Sequence, residues 1–177
     1  LGDMTLIAER IAAGEIQAPD IMVGGTPCQS FSLAGLRRGL RDQRGNLALE
    51  FIRIADAIDV VRRAADLEPA FILWENVPGI LSDRGNAFGT FLAGLVGSDA
   101  PLVPRGGWTS AGVVDGPTRC AAWRVLDAQH FGLAQRRERV FVLARSGARA
   151  WSAADALLPI IESLHWNPPP SREARQA

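Results

Sequence analysis

Two short apolar runs constrain this chain more tightly than anything else in it. Ile21-Met22-Val23 ends in Gly24-Gly25, and the unbroken run 70–74 (AFILW) ends in Glu75-Asn76. Between them, starting at Leu47, apolar residues stand at 47, 51, 54, 58, 61 and 65. Steps alternating between four and three predict an amphipathic helix, which Pro69 would end. A second helix is expected over 86–96, where Phe88, Phe91, Leu92 and Leu95 share a face. The runs 123–128 and 139–144 read as further strands. Short strands alternating with amphipathic helices predict an α/β fold on a mostly parallel sheet, with functional groups gathered at the strand ends.

The other segments are connections or short elements. Gly2-Asp3 reads as a strand end or its exit turn, and Thr5 is placed to cap a short helix over 6–13 that Gly14 closes. Residues 32–46 carry glycines at 35, 39 and 45 and four arginines, which suggests a glycine-hinged basic loop. Residues 98–118 are rich in Gly and Pro and read as one long connection. A tight turn is expected over 130–138 (HFGLAQRRE). Ser152 can start a last helix, interrupted by Pro159, before a proline-rich linker over 167–177. On the long helix, Glu50 with Arg53, and Asp59 with Arg62 and Arg63, are spaced to pair on the outer face.

Composition narrows the class. The 177 residues suit one domain. Hydrophobic residues make up 47% and charged residues 21%, which is ordinary for a globular core. All 19 basic residues are arginine and the formal net charge is zero, so a contact with nucleic acid must come from position rather than overall charge. Cys28 and Cys120 do not make a disulfide scaffold in a chain this size. His130 and His165 are not at metal-ligand spacing with either cysteine, so no metal site is expected. With no signal peptide and no long apolar span, an intracellular, cytoplasmic protein that does not span a membrane is expected.

Three groups stand at element boundaries. Cys28 follows the first strand in a polar turn, GGTPCQSFS over 24–32, a poor place for a core residue. Glu75 ends the second strand. Arg137 and Arg139 flank the start of a later one. In a parallel sheet Cys28 and Glu75 emerge at the same edge. Each group alone has a plain structural explanation: a small buried thiol, a strand terminus, a solvated turn. A thiol, a carboxyl and two guanidiniums together read as a site.

The blocks GGTPCQSFS, WENVPGIL and DAQHFGLAQRRERVFVL resemble the signature blocks of DNA (cytosine-5)-methyltransferases, in the family's order and roughly its spacing. Gly2-Asp3 resembles the block that meets the adenine of S-adenosylmethionine, and Arg44-Gly45-Asn46-Leu47 the block after the mobile loop. The resemblance covers nearly all of residues 1–170. It implies a Rossmann-like S-adenosylmethionine-dependent methyltransferase fold acting on double-stranded DNA, of bacterial or phage type. Cys28 would add as a thiolate to carbon 6 of a flipped-out cytosine. Glu75 would hold and protonate ring nitrogen 3, a role that asks for a carboxyl raised by burial. Arg137 would contact the base carbonyl, with Arg139 ordering the same site. Asp3, Pro27 and Leu47 would line the cofactor pocket. Gln29, Ser30, Arg37, Arg38 and Gln135 would approach the DNA; Asn76 would contact it or fix the loop.

The chain also departs from the family. It starts after the first strand and glycine-rich turn, and it stops near 167 where a target-recognition region would follow. The expected division is therefore 1–166 as a partial catalytic domain and 167–177 as a hinge. Loss of the first strand predicts exposed apolar surface, and a complementing polypeptide as a possible partner. Three rivals remain in view. A non-catalytic remnant or complementing subunit would bind DNA or a partner chain. A transfer RNA methyltransferase of the same family would carry a Cys-Phe-Thr signature, which is absent; Cys120 is followed by Ala121. A thiol hydrolase would need His130 to be oriented toward Cys28.

Overall fold

The computed structural model describes residues 2–27 and 47–147. Its elements run α1 (Ile7–Ala12), β1 (Ile21–Gly25), α2 (Leu47–Ala64), β2 (Phe71–Asn76), α3 (Ala87–Val96), β3 (Ala111–Asp115), β4 (Arg119–Asp127) and β5 (Glu138–Ser146). Short 3-10 turns occupy Met4–Leu6, Pro78–Ser82 and Ala128–Phe131. The two long helices and the first two strands form where the apolar spacing places them. The loop over 32–46, the helix from Ser152 and the hinge over 167–177 lie outside the described residues. Among those described, no helix is long and apolar enough to cross a membrane.

The five strands form one mixed sheet in the order β1-β2-β5-β4-β3. This corrects the expected mostly parallel sheet: β1 and β2 pair in parallel, while β2–β5, β5–β4 and β4–β3 are antiparallel. The reason lies in the connections. Helix α2 carries the chain from β1 back to start β2 in the same direction, as a parallel pair requires. Residues 116–118 and 128–137 are too short for a crossover, so β3, β4 and β5 fold as a meander. A second correction concerns 98–118, which holds β3 rather than one long connection. Glycine hides that strand in the sequence: a Cβ on Gly112 would collide with the Trp123 ring across the β3–β4 pair.

The N-terminal turn is a third correction. Asp3, not Thr5, is the cap: its Oδ1 accepts from the Thr5 backbone N–H at 3.0 Å and from its hydroxyl at 2.8 Å. The chain then passes through a 3-10 turn before α1. An aspartate two residues earlier competes well with threonine for this role.

The core lies between the sheet and α2 and α3. Trp74, Ile72, Val140 and Val142 of the sheet are fully buried, as are Phe88, Phe91 and Leu95 of α3. Trp74 stacks on Phe91 with ring centroids 4.0 Å apart. Phe88, Trp108 and Trp123 meet edge to face, an arrangement that adds to simple area burial.

Buried arginines tie the helices to the sheet. Arg119, at the start of β4, donates to Asp59 at 2.8 Å, to Asp56 at 2.9 Å and to the Leu95 carbonyl at 2.9 Å. Arg62 donates to Asp20 at 2.6 Å and to the carbonyls of Ala18 and Glu68. The expected surface pairing of Asp59 with Arg62 and Arg63 is thereby corrected. Asp59 and Arg62 are buried, and each is matched across elements rather than along the helix. Glu50 and Arg53 do pair, at 3.1 Å, but Glu50 is buried rather than on the outer face. Because the other Asp59 oxygen is buried without a partner, that carboxylate depends on Arg119. Replacing Arg119 by Ala should lower the unfolding free energy by about 3 kcal/mol, measured by urea denaturation. A loss under about 1 kcal/mol, the range of an exposed pair, would contradict this account.

Candidate active site at one edge of the sheet

The mixed pairing brings the ends of β1, β2 and β4 and the start of β5 to one edge. Gly25 stands opposite Glu75, and Glu75 opposite Phe141. Asn76 faces Val140, and Asp127 faces Glu138. At that edge Arg139 Nε donates to Glu75 Oε1 at 2.7 Å. The carboxyl and one of the two expected guanidiniums are thus in direct contact. A Cβ on Gly25 would stand 2.9 Å from Glu75 Oε2, so glycine keeps space beside the carboxyl. Burial of Glu75 is not found: its side chain is 36% exposed. The ion pair, rather than an apolar enclosure, is its environment.

The approach to Cys28 is fastened from two sides. Thr26 is buried. Its hydroxyl accepts the Trp74 indole N–H at 3.0 Å, and its carbonyl accepts the Asn76 amide at 2.9 Å. Asn76 Oδ1 in turn accepts the Val77 backbone N–H at 2.8 Å. Of the two roles open to Asn76, the one this geometry supports is fixing the loop: at 5% exposure its side chain sits beneath the surface. Trp74 and Thr26 escaped the sequence reading. The available signal was a tryptophan in a buried strand, whose N–H must find an acceptor.

The loop after β4 is closed by one carboxylate. Asp127 Oδ1 accepts from the backbone N–H of Gln129 at 3.1 Å and of Arg137 at 3.0 Å, and Oδ2 accepts from the Gln129 side chain at 2.8 Å. Burial pushes this carboxyl up. The two backbone donors, with the positive charges of His130 and Arg136, outweigh burial and hold it below the ordinary carboxylate range. Arg137 and Gln135 are exposed, and the Arg137 guanidinium has no partner among the described residues.

The remaining predicted positions divide. Cys28, Gln29, Ser30, Arg37 and Arg38 lie outside the described residues. Pro27 is exposed at the end of the β1 exit, and Leu47 is half-buried at the start of α2. Asp3 uses Oδ1 as a cap, while Oδ2 has no partner among the described residues. Cys120 is buried in β4; burial, and then the negative charge of Asp115, push its thiol up. That places Cys120 in the inert class. An open pocket of about 570 Å³ around Arg62, Gln17 and Ile21 lies at the opposite end of β1. Its arginine is already satisfied, so it is no rival for the chemistry.

Comparison with known proteins gives the family of the chain. A model of C-5 cytosine-specific DNA methylases matches residues 1–99. The chain is 46% identical over 198 aligned positions to a DNA N-6-adenine-methyltransferase of Escherichia phage P1, covering 99% of this chain and 26% of the phage protein. It is 35% identical to the type II methyltransferase M.AquIA of Picosynechococcus, covering 80% of this chain and 51% of the relative. For the type II methyltransferase M.BsuFI of Bacillus subtilis, identity is 34% and the shares are 80% and 27%. The chain belongs to the C-5 cytosine-specific DNA methylase family. It spans between about a quarter and a half of the length of these relatives.

Replacing Trp74 by Phe keeps the ring in place but removes the N–H, and should cost about 1 kcal/mol. Thr26→Val should cost a similar amount. The double variant should lose less than the sum, because both remove one bond. Strict additivity in urea denaturation would show that the bond contributes nothing.

Proposed function

We propose that this chain carries the catalytic edge of a DNA (cytosine-5)-methyltransferase, with Cys28 as the nucleophile. The observation that carries the reading is the Glu75–Arg139 pair, at 2.7 Å, on the edge where β1 ends at Gly25, three positions before Cys28 in the sequence. Cys120 is buried and cannot serve, which leaves Cys28 as the candidate thiolate.

The Cys28 sulfur bonds to carbon 6 of cytosine while ring nitrogen 3 gains a proton, which is proposed to pass from water through the partly exposed Glu75 carboxyl. Carbon 5 then carries the electron pair and takes the methyl group. S-adenosylmethionine, when bound, would supply that methyl from its sulfonium, with the neutral thioether as leaving group. A base removes the carbon 5 proton, the Cys28–carbon 6 bond breaks, and the ring double bond returns. Nitrogen 3 gives its proton back to Glu75. Arg139 holds Glu75 through the cycle, and Arg137 is free to meet the base carbonyl. Asp3 Oδ2 is an open acceptor suited to an exocyclic amine, and Leu47 and Pro27 offer apolar surface, so these residues fit the rim of a cofactor site.

Double-stranded DNA is the proposed substrate, with the target base flipped out to reach Cys28. Gln29, Ser30, Arg37, Arg38 and Gln135 are proposed to contact it. Type II relatives suggest a modification role within restriction. The phage relative is named for the adenine amino group, yet three quarters of that protein lies outside the match. Transfer to an exocyclic amine needs no covalent thiol adduct, so the Cys28 turn favours carbon 5. Residues 1–166 are proposed as part of the catalytic domain and 167–177 as a hinge. Activity is proposed to need portions of the methyltransferase beyond these residues, in the same or a separate polypeptide. The outer edge of β1 supports this: Ile21 and Val23 are 59% and 66% exposed, and β1 pairs on one side only among the described residues.

Duplex DNA with 5-fluorocytosine at every cytosine should form a covalent adduct with Cys28 in the complete assembly, because fluorine blocks the final elimination. Cys28→Ser should abolish the adduct, and Glu75→Gln should slow its formation by about 100-fold. An adduct that survives Cys28→Ser, or none from an assembly that methylates DNA, would sink the covalent mechanism.

A further inference from the structure

We propose that Asp127 is a positioning residue for this reaction: its carboxylate closes the 128–137 loop and thereby holds Arg137 in register with the Glu75–Arg139 pair. The inference rests on the proposed cytosine chemistry, but its geometry stands independently.

Residues 131–138 are all exposed, and an exposed ten-residue connection is ordinarily free to move. Here both ends are tied to one side chain. Asp127 Oδ1 receives the N–H of Gln129 at the start of the loop and of Arg137 at its end. The Ala128 N–H donates to the Arg137 carbonyl at 3.1 Å, so both polar groups of the Arg137 backbone are bound. One residue further, Glu138 stands opposite Asp127, and Arg139 stands opposite Leu126 while bonding Glu75. The chain from Arg137 to Arg139 is therefore set in place before any ligand arrives, while the Arg137 guanidinium remains unpaired among the described residues.

Asp127 itself is only 9% exposed. Of its three described bonds, two go to Gln129, where Asp127 caps the 3-10 turn over Ala128–Phe131, and the third reaches Arg137 at the far end of the loop. A carboxylate that served as a cap alone would need only the Gln129 N–H, as Asp3 needs only Thr5; the bond to the Arg137 N–H, eight residues beyond Gln129, goes further. Asp127 thereby orders a segment whose side chains are at the surface. Fixing a catalytic group in advance lowers the ordering cost at the moment of reaction.

The test compares Asp127→Ala with Asp127→Asn. Asparagine keeps an oxygen that accepts both backbone N–H groups, and alanine keeps nothing. In the complete assembly, Asp127→Ala should slow covalent trapping of 5-fluorocytosine DNA by about tenfold or more. Its dissociation constant for the same duplex should change by less than about threefold. Asp127→Asn should restore trapping to within about threefold of the parent. Equal trapping by Asp127→Ala and the parent overturns the proposal, as does a loss in Asp127→Asn as deep as in Asp127→Ala. Amide hydrogen exchange supplies a readout independent of activity. The amides of Gln129 and Arg137 should lose protection in Asp127→Ala while those within β4 and β5 keep theirs. Unchanged protection at Arg137 overturns the clamp even if catalysis is lost. Failure of the parent to trap DNA counts against the cysteine mechanism instead, and the exchange result then decides the clamp.

Discussion

Antiparallel pairing of β5 against β2 sets what this sheet can do. Were β5 parallel, its first residues would lie at the far edge, and Arg139 would stand several residues' length from Glu75. Because it runs the other way, Asn76 faces Val140, and the two ends meet where β1 also delivers its turn. The β4–β5 hairpin then brings Asp127 to the same edge. One change of strand direction thus gathers a carboxylate, an arginine pair and the approach to a cysteine from four separate stretches of chain.

Two sets of polar bonds fasten the two ends of the sheet. Arg119 and Arg62 are remote from the site edge, and they fasten α2 to the strand starts at the opposite edge. Each is matched by carboxylates and carbonyls, which makes the burial of a guanidinium tolerable. Thr26, Trp74 and Asn76 work at the chemical edge. They join the β1 exit to the β2 end through side-chain bonds, and Trp74 carries that connection down to Phe91 in the core. Thr26, two positions before Cys28, is consequently anchored to the buried core.

Much of this was legible in sequence because local periodicity is strong. The helix from Leu47, the helix near 86–96 and the strand before Glu75 all follow from apolar spacing. Glu75 and Arg139 were expected at one site from their positions at strand boundaries, and they are in contact. Local pattern failed where a partner distant in sequence decides. Glycine at 112 makes β3 look like loop, because the ring that fills its place belongs to Trp123. Spacing along α2 suggests that Asp59 pairs with Arg62, but Arg119 arrives from 60 positions away and takes it. Asp3 outranks Thr5 as a cap through backbone geometry that a residue list does not reveal.

The sequence by itself determined most of the elements, the family and the candidate chemical groups, because these depend on residue type and short-range order. Tertiary structure decided which strands run antiparallel, which charges are buried and which side chains hold others in place. Those outcomes depend on hydrogen-bond registers between segments far apart in the chain. Asp127 shows the difference most clearly. In the sequence it is one acidic residue among the charges of a polar block; in the fold it receives the backbone of Arg137 ten positions later.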